Sequence, residues 1–320
     1  MRAVLVESFG GPENFAVVEM PEPTAGVGQV LVRVAVSGAN YLDVYQRSGS
    51  TPLAAPYVAG VEGVGVVTAI GEGVDGIQLG ERIGWLGGQG SFADLVAVAA
   101  DKAVPIPDGV DDVTAVAVLM QGVTAHYLAA DAYAVRPGDD ILVHAAAGGV
   151  GQLLTQIVCM QGGRVLATAS TPEKQQVALE LGAHAVFGYD AFADRVREAT
   201  RGLGVAAVYD GVGAATFDGS LASLQVRGTL VVFGASSGPV PPLDVTRLAA
   251  AGSVFVTRPT VVHYTATQEE LRRRAVDLFS WVEGGELLVA PPRRFQLDDI
   301  APAFEALESR ATSGKLVFQH

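Results

Sequence analysis

The chain is poor in the residues that build disulfides, metal sites and nucleic-acid surfaces. Its one cysteine, Cys159, excludes an intrachain disulfide and any cysteine-rich zinc site. Cys159 falls on the apolar face of a helical stretch, where a buried small side chain is expected rather than a reactive thiol. The five histidines (126, 144, 184, 263 and 320) show no H-x-x-x-H or H-x-H spacing, so no metal site is expected. Lysine occurs only at Lys102, Lys174 and Lys315, and 21 basic residues face 34 acidic ones, a net charge of -13. Such a chain has no general attraction for nucleic acid or an anionic membrane. Any local positive charge therefore stands out. No apolar run of membrane-spanning length is expected, and the start MRAVLVESFGGPENF carries charges too early for a secretion signal. A cytoplasmic protein in a reducing setting is expected.

What the chain does have is apolar residues, 49% of its 320, enough for a sizeable core, and a length that suggests two domains. Up to about residue 100 the pattern is short β runs broken by Gly and Pro: AVLVE (3–7), VLVRVAVSG (30–38), GVGVVTAIG (63–71) and DLVAVAA (94–100). These predict a partly open β-barrel. YLDVYQR (41–47) reads as a short helix and 111–130 as a longer one. From residue 139 strands and helices alternate to about 259, giving six strands of a doubly wound parallel sheet. Helices over 269–282 and 297–309 and a terminal strand, KLVF (315–318), have no alternating partners. They are expected to return to the first domain and make it discontinuous.

The stretch 140–174 carries the first chemistry. Ile141–Val143 form a strand, Gly148, Gly149 and Gly151 a tight turn, and the following amphipathic run a helix leading to a second strand at Val165–Ala167. The G-x-G-x-x-G pattern has Ala146 in its first position, yet it stands between strand and helix, as a pyrophosphate-binding turn requires. NAD-binding units place an acid at the end of the second strand, about 20 residues on, to hold the ribose 2′-OH. Here that strand ends in Ala169-Ser170-Thr171, with Pro172 suited to the first helical position, Thr171 to the cap and Lys174 to the first turn. A 2′-phosphate needs donors and positive charge, so NADPH is the expected cofactor. Tyr189, after the third strand, could reach the same phosphate.

Further motifs run in order along nearly the whole chain: GGPE (10–13), GANYLDVYQRSG (38–49), GVEGVGVV (60–67), MQGVTAHYL (120–128), HAAAGGVGQ (144–152), YDGVG (209–213), FGASSG (233–238), VTRPT (256–260) and LESRATSGK (307–315). With them the chain resembles the zinc-free quinone oxidoreductases, the zeta-crystallin type, of the medium-chain dehydrogenase/reductase superfamily. The resemblance implies a Rossmann NADPH-binding domain (residues 123–261) inserted in a GroES-like, partly open β-barrel substrate domain (1–122 plus 262–320). It also implies a homodimer formed through the edge of the nucleotide-domain sheet. Zinc-dependent relatives carry Gly-His-Glu and a Cys ligand. Here Gly60-Val61-Glu62 has valine at the His position, and Ser37 lies where the Cys is expected.

Position by position, the resemblance places Asn40 and Tyr45 beside the nicotinamide and the acceptor, and Thr124 at the nicotinamide end. Gly148, Gly149, Val150 and Gly151 hold the pyrophosphate, and Ser170, Lys174 and Tyr189 the 2′-phosphate. Val212 lies near the nicotinamide ribose; Phe233, Gly234, Ser236 and Ser237 line the nicotinamide pocket; Arg258 lies at the cleft mouth and Arg310 near the cofactor. Asn40, Tyr45 and Arg258 are the candidate catalytic donors, because hydride addition without a metal needs a donor at the developing oxyanion. Asn40 equally suits the cap of the 41–47 helix, and Glu62 a structural role. The expected reaction is hydride transfer from NADPH to a quinone. Reduction of an alkenal or enone double bond is the alternative, decided by residues near Tyr45 and 262–264. A bulk-lens or RNA-binding role, known among relatives, is the remote alternative, and the acidity argues against RNA.

Overall fold

The computed structural model describes residues 1–51 and 53–320. The chain forms two compact units, one built from Met1–Val123 with Thr265–His320 and the other from Thr124–Tyr264.

The first stretch of the first unit contains β1 (Arg2–Val6), β2 (Ala16–Glu19), β3 (Gln29–Gly38), α1 (Tyr41–Arg47), β4 (Tyr57–Val58), β5 (Glu62–Ile70), β6 (Arg82–Leu86), β7 (Leu95–Ala99) and β8 (Ala103–Pro105). Helix α2 (Asp112–Tyr127) then carries the chain into the second unit. That unit contains β9 (Asp140–Val143), α3 (Gly149–Met160), β10 (Arg164–Thr168), α4 (Pro172–Glu180), β11 (Ala185–Phe187), α5 (Phe192–Ala199), β12 (Val205–Asp210), α6 (Phe217–Ser223), β13 (Leu224–Val232), α7 (Thr246–Ala250), β14 (Phe255–Thr257) and α8 (Val261–Tyr264). The chain returns to the first unit for α9 (Gln268–Glu283), β15 (Arg293–Gln296), α10 (Ile300–Glu308) and β16 (Leu316–Gln319).

In the first unit β3 is the central strand. Its valines at 30, 32, 34 and 36 point inward, the two-residue period of a half-buried strand. It pairs antiparallel with β5, with β7 and with β16, so the chain terminus is zipped onto the middle of the sheet. An aromatic cluster ties the two stretches together: Phe92 packs edge-on against Phe318 (ring centres 5.1 Å apart), and Phe15 against Phe304 (4.7 Å). Strand β15, RRFQ, was not expected. It is an edge strand, short and largely exposed, so no apolar run announces it.

The second unit has one parallel sheet in the order β11-β10-β9-β12-β13-β14. Its two halves wind outward from β9 and β12, the doubly wound order of the Rossmann fold. Both central strands are buried on both faces, which is why they read as unbroken apolar runs.

Two expectations need correction. Helix α2 continues through a π-helical turn at Leu128–Ala132. The combined 112–132 run is 21 residues, long and apolar enough to span a bilayer by those measures, and 78% of its most apolar window is buried inside the protein. Its apolarity serves packing, with its acids confined to the ends. Cys159 is only half-buried: its thiol donates to the Gly182 carbonyl (3.3 Å), and burial pushes its pKa up.

Candidate active site

The glycine turn follows β9. His144 ends the strand, Ala145 takes a left-handed conformation (φ 51°), and α3 begins at Gly149 with Gly148 as its cap. The first helical bond runs from Gln152 N–H to the Gly148 carbonyl (3.0 Å), so the N–H groups of Gly149, Val150 and Gly151 have no intrahelical acceptor. A Cβ on Gly151 would lie 2.3 Å from the Ala145 carbonyl oxygen, so only glycine lets the helix pack this closely on the turn. Tyr189 joins the turn: its hydroxyl accepts from Ala145 N–H (3.2 Å).

Beyond β10 the ribose side has the anticipated local structure. Thr171 caps α4 by accepting from Lys174 N–H (3.3 Å), and Pro172 is the first helical residue. Ser170 is exposed and Lys174 half-buried, and partial burial draws the Lys174 ammonium below its ordinary pKa. The one acid in this turn, Glu173, is held low by its hydrogen bond to the Thr171 hydroxyl. No carboxylate ends β10. The turn, the unpaired helix N–H groups and the cationic start of α4 fit a dinucleotide that carries a 2′-phosphate.

A buried hub that sequence reading missed holds these loops in place. Asp210, at the end of β12, accepts from the N–H groups of Val212 (2.8 Å) and Gly213 (3.0 Å) and from the hydroxyls of Thr216 (2.7 Å) and Ser220 (2.8 Å). Ser220 spends its hydrogen on Asp210, so it accepts from His144 Nε2–H (3.0 Å); His144 Nδ1 then accepts from Thr168 (2.8 Å). His144 is thus neutral, and burial lowers its pKa to about 4. This chain links the turns after β9, β10 and β12. Ser237 joins Val212 by donating to its carbonyl (2.7 Å), while Phe233 packs its ring over Gly211. Gly234 and Ser236 lie on the same loop, which follows β13. Arg258 donates to the Val232 carbonyl (3.1 Å), so one of its N–H groups braces the strand before that loop.

The first unit holds a second buried polar cluster. Asn40 caps α1 with its backbone, and its N–H is accepted by Asp43 (2.8 Å). Its side chain does something else. Nδ2 donates to the Gly38 carbonyl (3.0 Å) and to Glu62 (3.1 Å), and Oδ1 accepts from Lys315 Nζ (3.0 Å) and Gln121 Nε2 (2.7 Å). Both amide hydrogens of Asn40 are therefore committed within the unit. Lys315 also donates to Glu62 (2.5 Å), whose other oxygen accepts Met120 N–H (2.7 Å). Glu62 follows Val61, where zinc-dependent relatives carry histidine, and its charge is met by the Lys315 ammonium. Burial pushes Asp43 up to about 7 and pulls Lys315 down. Gly38 is the sequence trace of this pair: a Cβ there would lie 2.4 Å from Glu62 Oε2 and 2.8 Å from Lys315 Nζ. Tyr45, half-buried on α1, has its ring 6.1 Å from that of Tyr41. Thr124 lies on α2. Arg310, exposed after α10 and in a left-handed conformation (φ 58°), belongs to the first unit rather than the nucleotide-binding one.

A GroES-like barrel with an inserted Rossmann sheet defines the medium-chain dehydrogenase/reductase superfamily. The family model "Alcohol dehydrogenase GroES-like domain" matches residues 26–108, and "Zinc-binding dehydrogenase" matches 149–281. Among the described residues no three His, Cys, Asp or Glu side chains gather as a metal site. Within the superfamily, the chain is 38% identical to a quinone oxidoreductase of Pseudomonas aeruginosa, covering 97% of each chain. It is 36% identical to a 2-haloacrylate reductase of a Burkholderia species, covering 98% of each. Its fold superposes with a TM-score of 0.97 on an Escherichia coli quinone oxidoreductase complexed with NADPH, at 35% identity and covering all of both chains. The chain belongs to the zinc-free quinone oxidoreductase family.

Proposed function

We propose that this protein is an NADPH-dependent quinone reductase that transfers hydride without a metal. The observation that carries the cofactor is the α4 start, where Ser170 and Lys174 stand and an NAD-binding unit would have an acid. Residues 123–261 act as the NADPH domain, and 1–122 with 262–320 as the substrate domain. NADPH supplies the hydride. The α3 N–H groups of Gly149, Val150 and Gly151, after the Gly148 cap, hold the pyrophosphate, and Ser170, Lys174 and Tyr189 the 2′-phosphate. Thr124, Val212, Phe233, Gly234, Ser236 and Ser237 serve the nicotinamide end, and Arg310 the cofactor's surroundings. Tyr45 donates its hydroxyl to the acceptor oxygen as charge develops there. Asn40, its hydrogens spent, acts by fixing the start of the helix that carries Tyr45. Arg258 keeps N–H groups beyond the one given to Val232 for the acceptor side.

A second reading, reduction of an activated alkene, is favoured by the likeness to the 2-haloacrylate reductase. A cytoplasmic homodimer completes the proposal. It is supported by β14 as an edge strand whose Phe255 is 61% exposed. The test follows NADPH and NADH absorbance against ortho-quinones, para-quinones and 2-alkenals. NADPH-dependent quinone turnover is expected. Turnover with NADH alone would sink the cofactor assignment, and alkenal turnover far above quinone turnover would move the reading to the alkene.

A further inference from the structure

Within the first unit, the segment from β8 to Pro107 and helix α9 enclose a cleft of about 300 Å³, none of whose lining residues has a role above. Its apolar floor is made by Ile106, Ala275 and Phe279, and Val276, 62% exposed, marks where it opens to solvent. The helix side is built by spacing: Arg272, Val276, Phe279 and Glu283 stand at i, i+4, i+7 and i+11, a single stripe with a cation at one end and an acid at the other. Eleven residues of helix rise about 16 Å, too far for those two side chains to meet. Arg272 Nε is instead buried with no acceptor among the described residues. An arginine that borders an apolar cleft with an N–H unmet calls for an anion.

Two prolines narrow the class of occupant. Strand β8 is the edge of its sheet, and Pro105 and Pro107 carry no N–H, so this edge offers too few donors to pair a further strand. An extended peptide is disfavoured, and an apolar chain with an anionic head fits. We propose that the cleft binds a medium-chain aliphatic carboxylate, its head on the Arg272 fork and its chain over Ile106 and Phe279. Glu283 sets the direction, since it repels the head from the far end. In a chain of net charge -13, few other places attract such an anion.

Calorimetric titration of the full chain with octanoate, 1-octanol and octylammonium, each below its micellar concentration, tests this. Octanoate is expected to bind tenfold or more tightly than either of the others, about the worth of a hydrogen bond to a charged group. Hexanoate should bind about fifteenfold more weakly than octanoate, roughly fourfold for each methylene no longer buried. Arg272→Gln keeps a long polar side chain without the charge; it should lower octanoate affinity about tenfold or more and leave octanol unchanged. Val276→Glu, a change at an exposed position, sets a second acid on the rim and should weaken octanoate alone. Thermal unfolding checks that both variants fold. No octanoate binding by the wild type, equal affinity for the three eight-carbon probes, or octanoate affinity retained in either variant overturns the proposal. Tighter binding of octylammonium overturns it as well and gives the cleft to Glu283. The reductase reading stands under each of these results.

Discussion

Three lysines serve a chain of 320 residues, and two of them stand at the candidate site. Lys174 is legible in sequence because strand, cap, Pro and first turn are all local. Lys174→Ala is expected to raise the Michaelis constant for NADPH tenfold or more, about the worth of a charged hydrogen bond, with little effect on NADH. Equal changes for both cofactors in steady-state kinetics would remove Lys174 from the 2′-phosphate. Lys315 is not legible: its partners Glu62 and Asn40 lie 253 and 275 residues away, and only the fold reveals the pairing. For the same reason Asn40 reads from sequence as a donor, while the structure commits both its amide hydrogens. Asp43 yields a pH prediction. Its folded pKa, about 7, lies above the unfolded value of about 3.9, so its proton favours the folded state. Its contribution is complete below pH 4 and is lost as pH rises toward 7. Asp43→Asn does not titrate, so its melting temperature relative to wild type should climb by about 2–4 °C between pH 5 and pH 8. A difference independent of pH would show that Asp43 does not carry this proton.

At the scale of elements, patterns of period two and of helical spacing placed β1, β3, β5, β7, β16, the six strands of the parallel sheet and the helices α1, α2, α9 and α10. They failed where an element lacks an apolar face, as in β15, and where polar side chains bond across loops, as in the Asp210–Ser220–His144–Thr168 chain. The Asp210 hub joins residues from β10, β12, α6 and the turn after β9, a convergence that no spacing along the chain encodes. The glycine turn gives the element-scale prediction. Gly151→Ala puts a methyl 2.3 Å from a backbone oxygen, which cannot swing aside as a side chain does. The α3 start must shift, and NADPH affinity should fall about tenfold or more, since several charge-assisted N–H contacts are misaligned together. Unaltered affinity in a fluorescence titration would mean that these N–H groups do not hold the pyrophosphate.

For the whole molecule, the Rossmann sheet inserted in a GroES-like barrel was visible from the alternation that starts at residue 139 and from the unpartnered elements near the terminus. The pairing of subunits proposed above can be tested directly. Phe255→Arg should convert a dimer into a species of the 33.0 kDa chain mass on size-exclusion chromatography with light scattering. A wild-type chain already at that mass would end the dimer proposal. The terminal strand β16 bears on the order in which the protein is made. The nucleotide-binding unit is one unbroken stretch and is complete once residue 264 has left the ribosome. The other unit must wait, because β16, which pairs with β3, is made after the whole nucleotide-binding unit, and the cation that meets Glu62 follows it by 253 residues. At about 5–20 residues per second, Glu62 waits roughly 10–50 seconds for the ammonium that meets its charge in the folded unit.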